Sequence, residues 1–439
     1  MKLSVINLLV LAGAAAAQLS GPVGPTTSTK AKRANKICNV LDYGAKADKK
    51  TDLGVALVKA WSACAAGGIV VIPSGGYAMS TWATLKAGSG VGLQLDGTIY
   101  RTGETIGNMI AIQHSKDIEV FSSNGKGIIQ GYGYKIHKTG SISGARLLRV
   151  ERTSGFSIHD LRLVDSPAFH ISVDSSTNGE LYNLAIRGGD HGGLDGIDVW
   201  GTNIHVHDVM VTNKDECVTV KSPAQNILIE QIYCNHSGGS AIGSLANATA
   251  ISKVAYRKVY TVGSNQMMMI KSNGGSGYVE DVEFSDFIGH GNAYSLNVDQ
   301  AWANMPKASG DGVQLTNMTF SNWKGTCASG TQRGPVQFKC DAKTPCKDMV
   351  VKDFAMWTDS GSKLNNICHN AFGSGACLKK TGSDPYTVSA AVAAPPANYK
   401  APTLKDDLKA GFGFTVEIPV PAMPKSFFPG TAPLVPLAH

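Results

Sequence analysis

Residues 207–236 read HDVMVTNKDECVTVKSPAQNILIEQIYCNH. They open with polar residues and an apolar alternation, HDVMVTN, reach a second short apolar run, CVTVKS, about ten residues later, and return to the first pattern in EQIYCNH. The opening recurs as HDLRLVD, YNLAIRG, RKVYTVG, EDVEFSD, TNMTFSN and KDFAMWT, with its first apolar position at Leu161, Leu184, Val209, Ile232, Val259, Val282, Met318 and Phe354. Steps between these positions are 23, 25, 23, 27, 23, 36 and 36 residues, the last two lengthened by loop insertions. The second run recurs as FHISVD, DGIDVWG, SAIGSL, MMMIKS and AYSLNVD. A period of roughly 20 to 30 residues made of short strands and Gly/Asn turns marks a solenoid, whose equivalent strands pair from one turn to the next. No helical periodicity interrupts it, so the expected fold is all-β, a parallel β-helix. A β-sandwich would show hairpin dipeptides at each reversal and a propeller a period near ~40 residues.

The open end of a solenoid exposes apolar core and strand edges that need a cover. Just before the repeats, DLGVALVKAWSACAA (Asp52–Ala66) has apolar residues at three-to-four spacing and is expected to be a capping helix. The start, MKLSVINLLVLAGAAAA (1–17), has a basic residue, an apolar centre and a small-residue end, the pattern of a secretory signal peptide. No stretch approaches the ~20 apolar residues of a membrane span. Residues 18–37 are expected to be a poorly ordered lead-in to a solenoid domain over 18–378. From 379 to 439 the composition turns to Pro and Ala, a tail expected to pack on the solenoid over 411–428.

The formal charge is +7 over 439 residues, a mildly basic surface that suits an anionic partner without naming one. Neither a nucleic acid nor a membrane is expected as a partner, and the chain is expected to act as a monomer. Among nine cysteines, Cys340 with Cys346 and Cys368 with Cys377 are local pairs, while Cys38 with Cys64 and Cys217 with Cys234 fit neighbouring turns. In an oxidising compartment this reads as four disulfides with Cys327 left free, although spacing alone leaves the connectivity open. Neither C-x-x-C nor His at ligand spacing occurs, so no metal and no cofactor is expected; His191, His205 and His207 read as surface or strand histidines. Sequons at Asn235, Asn247 and Asn317 are candidate glycosylation sites.

Asp195 and Asp198 precede Asp215 and Glu216 by about one repeat. Crowded carboxylates indicate proton-transfer chemistry, a cation site or a solvated loop. With Ile197, Val199, Val218, Val220, Met268 and Ile270 inward, alternation turns Asp198, Thr219, Lys221, Met269 and Lys271 outward, on one face of turns ~4.8 Å apart. Asp195, Asp215 and Glu216 sit where the chain enters these strands, and consecutive Asp215 and Glu216 share a groove only if the turn bends between them. Two carboxylates on adjacent turns suit glycoside hydrolysis: one protonates the leaving oxygen, the other activates a water across a gap of ~6.5 to 9.5 Å, with inversion. Lysines beside them suit an acidic substrate.

In order and spacing, VLDYGAKADKKTD, GGIVVIPSGGY, these acids and MMMIKS resemble the pectin-degrading glycoside hydrolases, the family of polygalacturonases and rhamnogalacturonases. The likeness covers most of the chain and leans to the fungal rhamnogalacturonan hydrolases. It implies a right-handed parallel β-helix that inverts configuration without a cofactor. The family's N-T-D falls on Gly193, Leu194 and Asp195, its D-D on Asp215 and Glu216, its G-H-G on Ser237, Gly238 and Gly239, and its R-I-K on Met269, Ile270 and Lys271. By this likeness Asp215 is the general acid, Asp195 and Glu216 hold the nucleophilic water, and Lys271 binds substrate; its outward position beside these acids makes Asp198 a candidate substrate ligand as well. The His and Arg of polygalacturonases are absent, which favours rhamnogalacturonan over homogalacturonan. A later Gly289-His290-Gly291 stands at the same place in its turn and makes His290 a candidate substrate ligand.

The expected function is therefore a secreted, extracellular endo-hydrolase of the galacturonic acid to rhamnose bond in rhamnogalacturonan I, a plant cell-wall pectic polysaccharide. The alternatives are a homogalacturonan hydrolase, a calcium-dependent lyase on the same kind of solenoid, and a non-catalytic carbohydrate-binding β-helix.

Overall fold

A computed structural model describes residues 19–438 apart from 329–333, 362–364, 383 and 393; the expected signal segment 1–17 lies outside the described residues. The chain is a right-handed parallel β-helix. Its central coils are carried by β1 (Ser154–Val164), β2 (Ile171–Arg187), β3 (Ile197–Thr212), β4 (Glu216–Asn235) and β5 (Gly239–Leu245), each paired in parallel with the next. Leu161, Leu184, Val209, Ile232 and Val259 stack in register inside the coil with no exposed surface.

Beyond Val259 the register differs from the expectation. Val259 pairs with Phe287, Phe287 with Trp323 and Trp323 with Phe354, whereas Val282 and Met318 continue the column of Ile204, Ile227 and Val254. The cause is that each coil contains two left-handed turns of the same chemistry. Asp208, Gln231, Lys258, Asp286 and Asn322 make one, and Asn203, Asn226, Lys253, Asp281 and Asn317 the other, all at positive φ and all just before an inward apolar residue. HDV and EDV therefore look alike in sequence and belong to different turns.

Helix α2 (Leu53–Cys64) covers the open N-terminal end. Asp52 caps it by accepting the Gly54 N–H, its buried face presents Leu57, Ala60 and Trp61, and the Cys38–Cys64 disulfide ties it to the first coil. At the far end the strand Thr387–Ala391 pairs antiparallel with Asn365–His369 and covers the last edge. The other three disulfides join Cys217 to Cys234, Cys340 to Cys346 and Cys368 to Cys377; Cys327 is free and buried. Among the described residues no helix is long and apolar enough to cross a membrane.

The described part of the lead-in is ordered, contrary to expectation. It forms the short helix α1 (Thr29–Asn35), capped by Ser28. Lys32 is buried against Glu119 at 3.5 Å and Asp117 at 3.8 Å, so an ion pair pins a polar segment that lacks apolar content. The tail runs back along the outside of the solenoid. Tyr399 meets Trp357, Asp407 accepts the hydroxyls of Tyr233 and Tyr260, Phe412 O accepts the Asp190 N–H, and Ala438 N donates to Asp160.

Candidate active site

The turns entering β3 and β4 bring the acids together. Asp215 lies in the turn after Lys214, whose φ of 69° is left-handed, and Glu216 begins β4. That bend overcomes strict alternation: Asp195, Asp215 and Glu216 each offer a carboxylate oxygen within 4.8 Å of the others. Asp215 Oδ1 accepts the Glu216 N–H at 2.9 Å and Oδ2 accepts the Gly193 N–H. The cluster is tighter than the ~6.5 to 9.5 Å expected for a pair spanning a water.

Cations answer the acids from the neighbouring outward positions. Lys221 Nζ lies 3.4 Å from Asp195 and 3.5 Å from Asp198, and Lys271 is ion-paired with Glu216. Burial, with Glu216 beside it, pushes the Asp215 carboxyl up to about 7. Burial raises Asp198 to about 6 and, with the charges of Asp198 and Asp215, drives Asp195 well above the ordinary carboxylate range. Although burial opposes it, the surrounding carboxylates hold Lys221 more firmly protonated than usual. The site thus offers a protonated carboxyl at Asp215 close to neutrality, beside acids fixed by ammonium groups.

Groups with no catalytic look in sequence set this geometry. Asn213 Nδ2 donates to Leu194 O at 2.7 Å and to Glu216 O at 2.9 Å, tying the two entry turns together. His170 is fully buried; its backbone N–H and its Nδ1 meet Asp195 O at 2.9 and 3.1 Å, and burial pushes its imidazole down to about 4, leaving it neutral. A Cβ on Gly238 would stand 2.5 Å from the Asp215 carbonyl carbon, so only glycine lets the next coil pass beneath the acid. The one sequence signal for Asn213 was its place at the strand end before Lys214-Asp215-Glu216. His170, in the middle of FHISVD, gave none.

Asp198 has no exposed surface and forms the floor of a pocket of about 480 Å³ with Lys221 beside it and Phe169, Trp200 and Pro223 around it. Lys221, 3.5 Å from it, shares that lining. His290 is not part of this site: its Nε2 meets Pro402 O of the tail at 2.8 Å and its ring stands edge-on to Tyr260. Asn235 is buried and donates to the Tyr233 hydroxyl, so the first sequon has no room for a glycan, while Asn247 and Asn317 are exposed.

A solenoid with converging acids on adjacent coils and flanking lysines defines a polysaccharide hydrolase, and the chain belongs to the glycosyl hydrolases family 28, whose model matches residues 64–377. It is 57% identical over 422 residues to Rhamnogalacturonase A of Emericella nidulans, covering 96% of this chain and 83% of that protein. It is 57% identical over 435 residues to Rhamnogalacturonase B of Aspergillus niger, covering 98% and 78%. Among solved structures, the endo-xylogalacturonan hydrolase of Aspergillus tubingensis superposes with a TM-score of 0.67 at 23% identity, over 74% of this chain and 94% of that one, a likeness of fold.

Proposed function

We propose that this glycoside hydrolase is a secreted endo-enzyme that cuts the galacturonic acid to rhamnose bond of the rhamnogalacturonan I backbone with inversion. The observation that carries the reading is the carboxyl of Asp215, held protonated close to neutrality beside Asp195 and Glu216, in a chain whose relatives named rhamnogalacturonases match it over nearly its whole length. Asp215 donates its proton to the leaving oxygen. Asp195 and Glu216, fixed by Lys221 and Lys271, hold the water that attacks the anomeric carbon, and that water's proton passes to the Glu216 carboxylate. Lys271 and Lys221 also offer ammonium groups to a galacturonate carboxylate, while Phe169 and Trp200 offer apolar faces to a deoxysugar. With the carboxylates so close, the water lies to one side of the Asp215 carboxyl, against the pair Asp195 and Glu216. Four disulfides support export, and Asn247 and Asn317 are the sequons open to glycan. The enzyme works as a monomer on the polymer.

Digestion of de-esterified rhamnogalacturonan and of polygalacturonate in parallel tests the reading. New reducing ends from the first alone, with no ultraviolet absorbance of an unsaturated product and with the first-formed anomer inverted by NMR, are expected. Cleavage of polygalacturonate alone, or an unsaturated product, would sink the substrate or the mechanism respectively. In the same assay Asp215→Asn lowers turnover about 10²- to 10⁴-fold, the range of a lost general acid, with the circular dichroism of the fold unchanged.

A further inference from the structure

A second constellation lies on the face that follows the left-handed turn at Asn203 (φ 59°), away from the groove. Glu180 of β2 stands opposite His205 of β3, and Tyr182 opposite His207. Val206 between the two histidines points into the core, so both imidazoles project outward, their centroids 4.3 Å apart. Glu180 Oε1 lies 3.2 Å from His207 Nε2 and 3.9 Å from His205 Nδ1. The far nitrogen of each ring already has a carboxylate of its own: Asp208 Oδ2 is 2.8 Å from His207 Nδ1, and Glu230 Oε1 is 3.0 Å from His205 Nε2. With the protons on those far nitrogens, both lone pairs aim at Glu180, as in metal sites whose histidines are oriented by outer carboxylates. Tyr182, stacked 5.2 Å from His207, holds that ring in place.

Charge balance separates this cluster from an ordinary ion-pair network. Two coils earlier His159 repeats the arrangement of His207, with Asp160 at one nitrogen and Glu119 at the other, but there Lys32 neutralises the glutamate. Glu283, three coils beyond His205, has Arg257 at 2.7 Å. Among the described residues Glu180 meets no lysine or arginine within 4.0 Å, only the two imidazoles.

We propose that Glu180 Oε1, His205 Nδ1 and His207 Nε2 bind one divalent transition-metal ion of zinc's class, with the fourth position open to water. Ligand atoms ~2.0 Å from a tetrahedral ion stand ~3.3 Å from one another; here all three lie within 4.8 Å of one another, so a small movement of His205 brings them to that spacing. Glu180 and His205 keep partial exposure, at 25% and 13% of their side chains, which gives the ion a path in. Two imidazoles and one carboxylate suit zinc and disfavour calcium or magnesium, which want oxygen ligands. The ion ties β2 to β3 and takes no part in hydrolysis.

Zinc titration of the chelator-stripped full chain by calorimetry, above the ordinary imidazole value of about 6.5, tests this. Because Asp195, Asp215 and Glu216 also converge, Asp215→Asn is the control. One ion per chain is expected in the wild type and in Asp215→Asn, with at least tenfold weaker binding in His205→Gln and Glu180→Gln, both retaining wild-type hydrolysis as proof of folding. Cobalt(II) should give the visible absorption of a tetrahedral site in the same two binders only. Zinc affinity unchanged by His205→Gln and Glu180→Gln, binding lost only in Asp215→Asn, or no binding by the wild type overturns the proposal.

Discussion

Asp198 and Asp195 are buried side by side with the single ammonium of Lys221 between them. Above about pH 7, where Asp198 is ionised, removing that cation leaves a buried carboxylate without its partner, so Lys221→Met is expected to cost about 3 kcal/mol there, measured as the shift in a urea midpoint. An unchanged midpoint would mean the acids are neutral and need no partner. Proton uptake supplies the complementary test. A carboxyl whose folded value lies above its unfolded one contributes stability in full below the unfolded value of 3.8, and loses it as pH rises through about 6 for Asp198 and about 7 for Asp215. Acids held down, such as Asp48 at about 2 through the backbone and hydroxyl of Thr51, titrate below that window. The melting temperature should therefore fall between roughly pH 4 and 7, less steeply in Asp198→Asn, and turnover should fall as Asp215 ionises through about 7. A melting temperature that rises over this range would show that these acids are ionised and paired in the fold.

At the level of elements, the site exists because two entry turns are locked together by one amide. Asn213→Ala removes both donors, takes from Leu194 O its amide partner and leaves Glu216 O with the Gly196 N–H alone, and should cost about 2 kcal/mol in denaturant titrations while lowering turnover through the displaced Asp195 and Glu216. Full turnover in Asn213→Ala would mean the turns hold by themselves. The reason Asn213 escaped notice in the sequence is physical: a polar residue closing a strand is the ordinary content of every coil, and its partners are carbonyls, which sequence does not distinguish. The inward columns through Val259 were legible because alternation is obligatory where one face is buried. The sequence pattern puts Val282 and Met318 in the wrong turn because Asp281 and Asn317 carry the same left-handed signature as Asp208 and Gln231. The groove acids were legible as a cluster, and the bend at Lys214 that gathers them was not, since a lysine at positive φ has no sequence mark. The surroundings of His290 were not legible either, since the tail's contacts with Tyr233, Tyr260 and His290 are made from more than a hundred residues away in sequence.

Over the whole molecule, that tail covers a flank that the coils leave apolar. Ala185, Met210, Tyr233, Tyr260 and Ile288 succeed one another in register, one per coil, and Phe427 and Phe428 lie on them, Phe427 with no exposed surface. Nearer the groove, Phe412 O accepts the Asp190 N–H and Phe414 packs on Gly189 and edge-on to His191, which fixes the loop whose Gly193 N–H reaches Asp215. The two contacts predict two separable effects. Truncation after Pro419 removes Phe427 and Phe428 but keeps the loop contacts; losing a buried phenylalanine costs about 3 kcal/mol or more, so the melting temperature should drop by on the order of 3 to 6 °C with turnover of the folded enzyme intact. Truncation after Asn398 also releases the loop at Asp190, and the turnover of its folded fraction should fall as Asp215 loses a fixed donor. Calorimetry and initial rates on rhamnogalacturonan, corrected for the folded fraction, separate the two. If the longer truncation kept full turnover, Gly193 would have to be held by the solenoid alone, since its position would then not depend on the tail that now braces it.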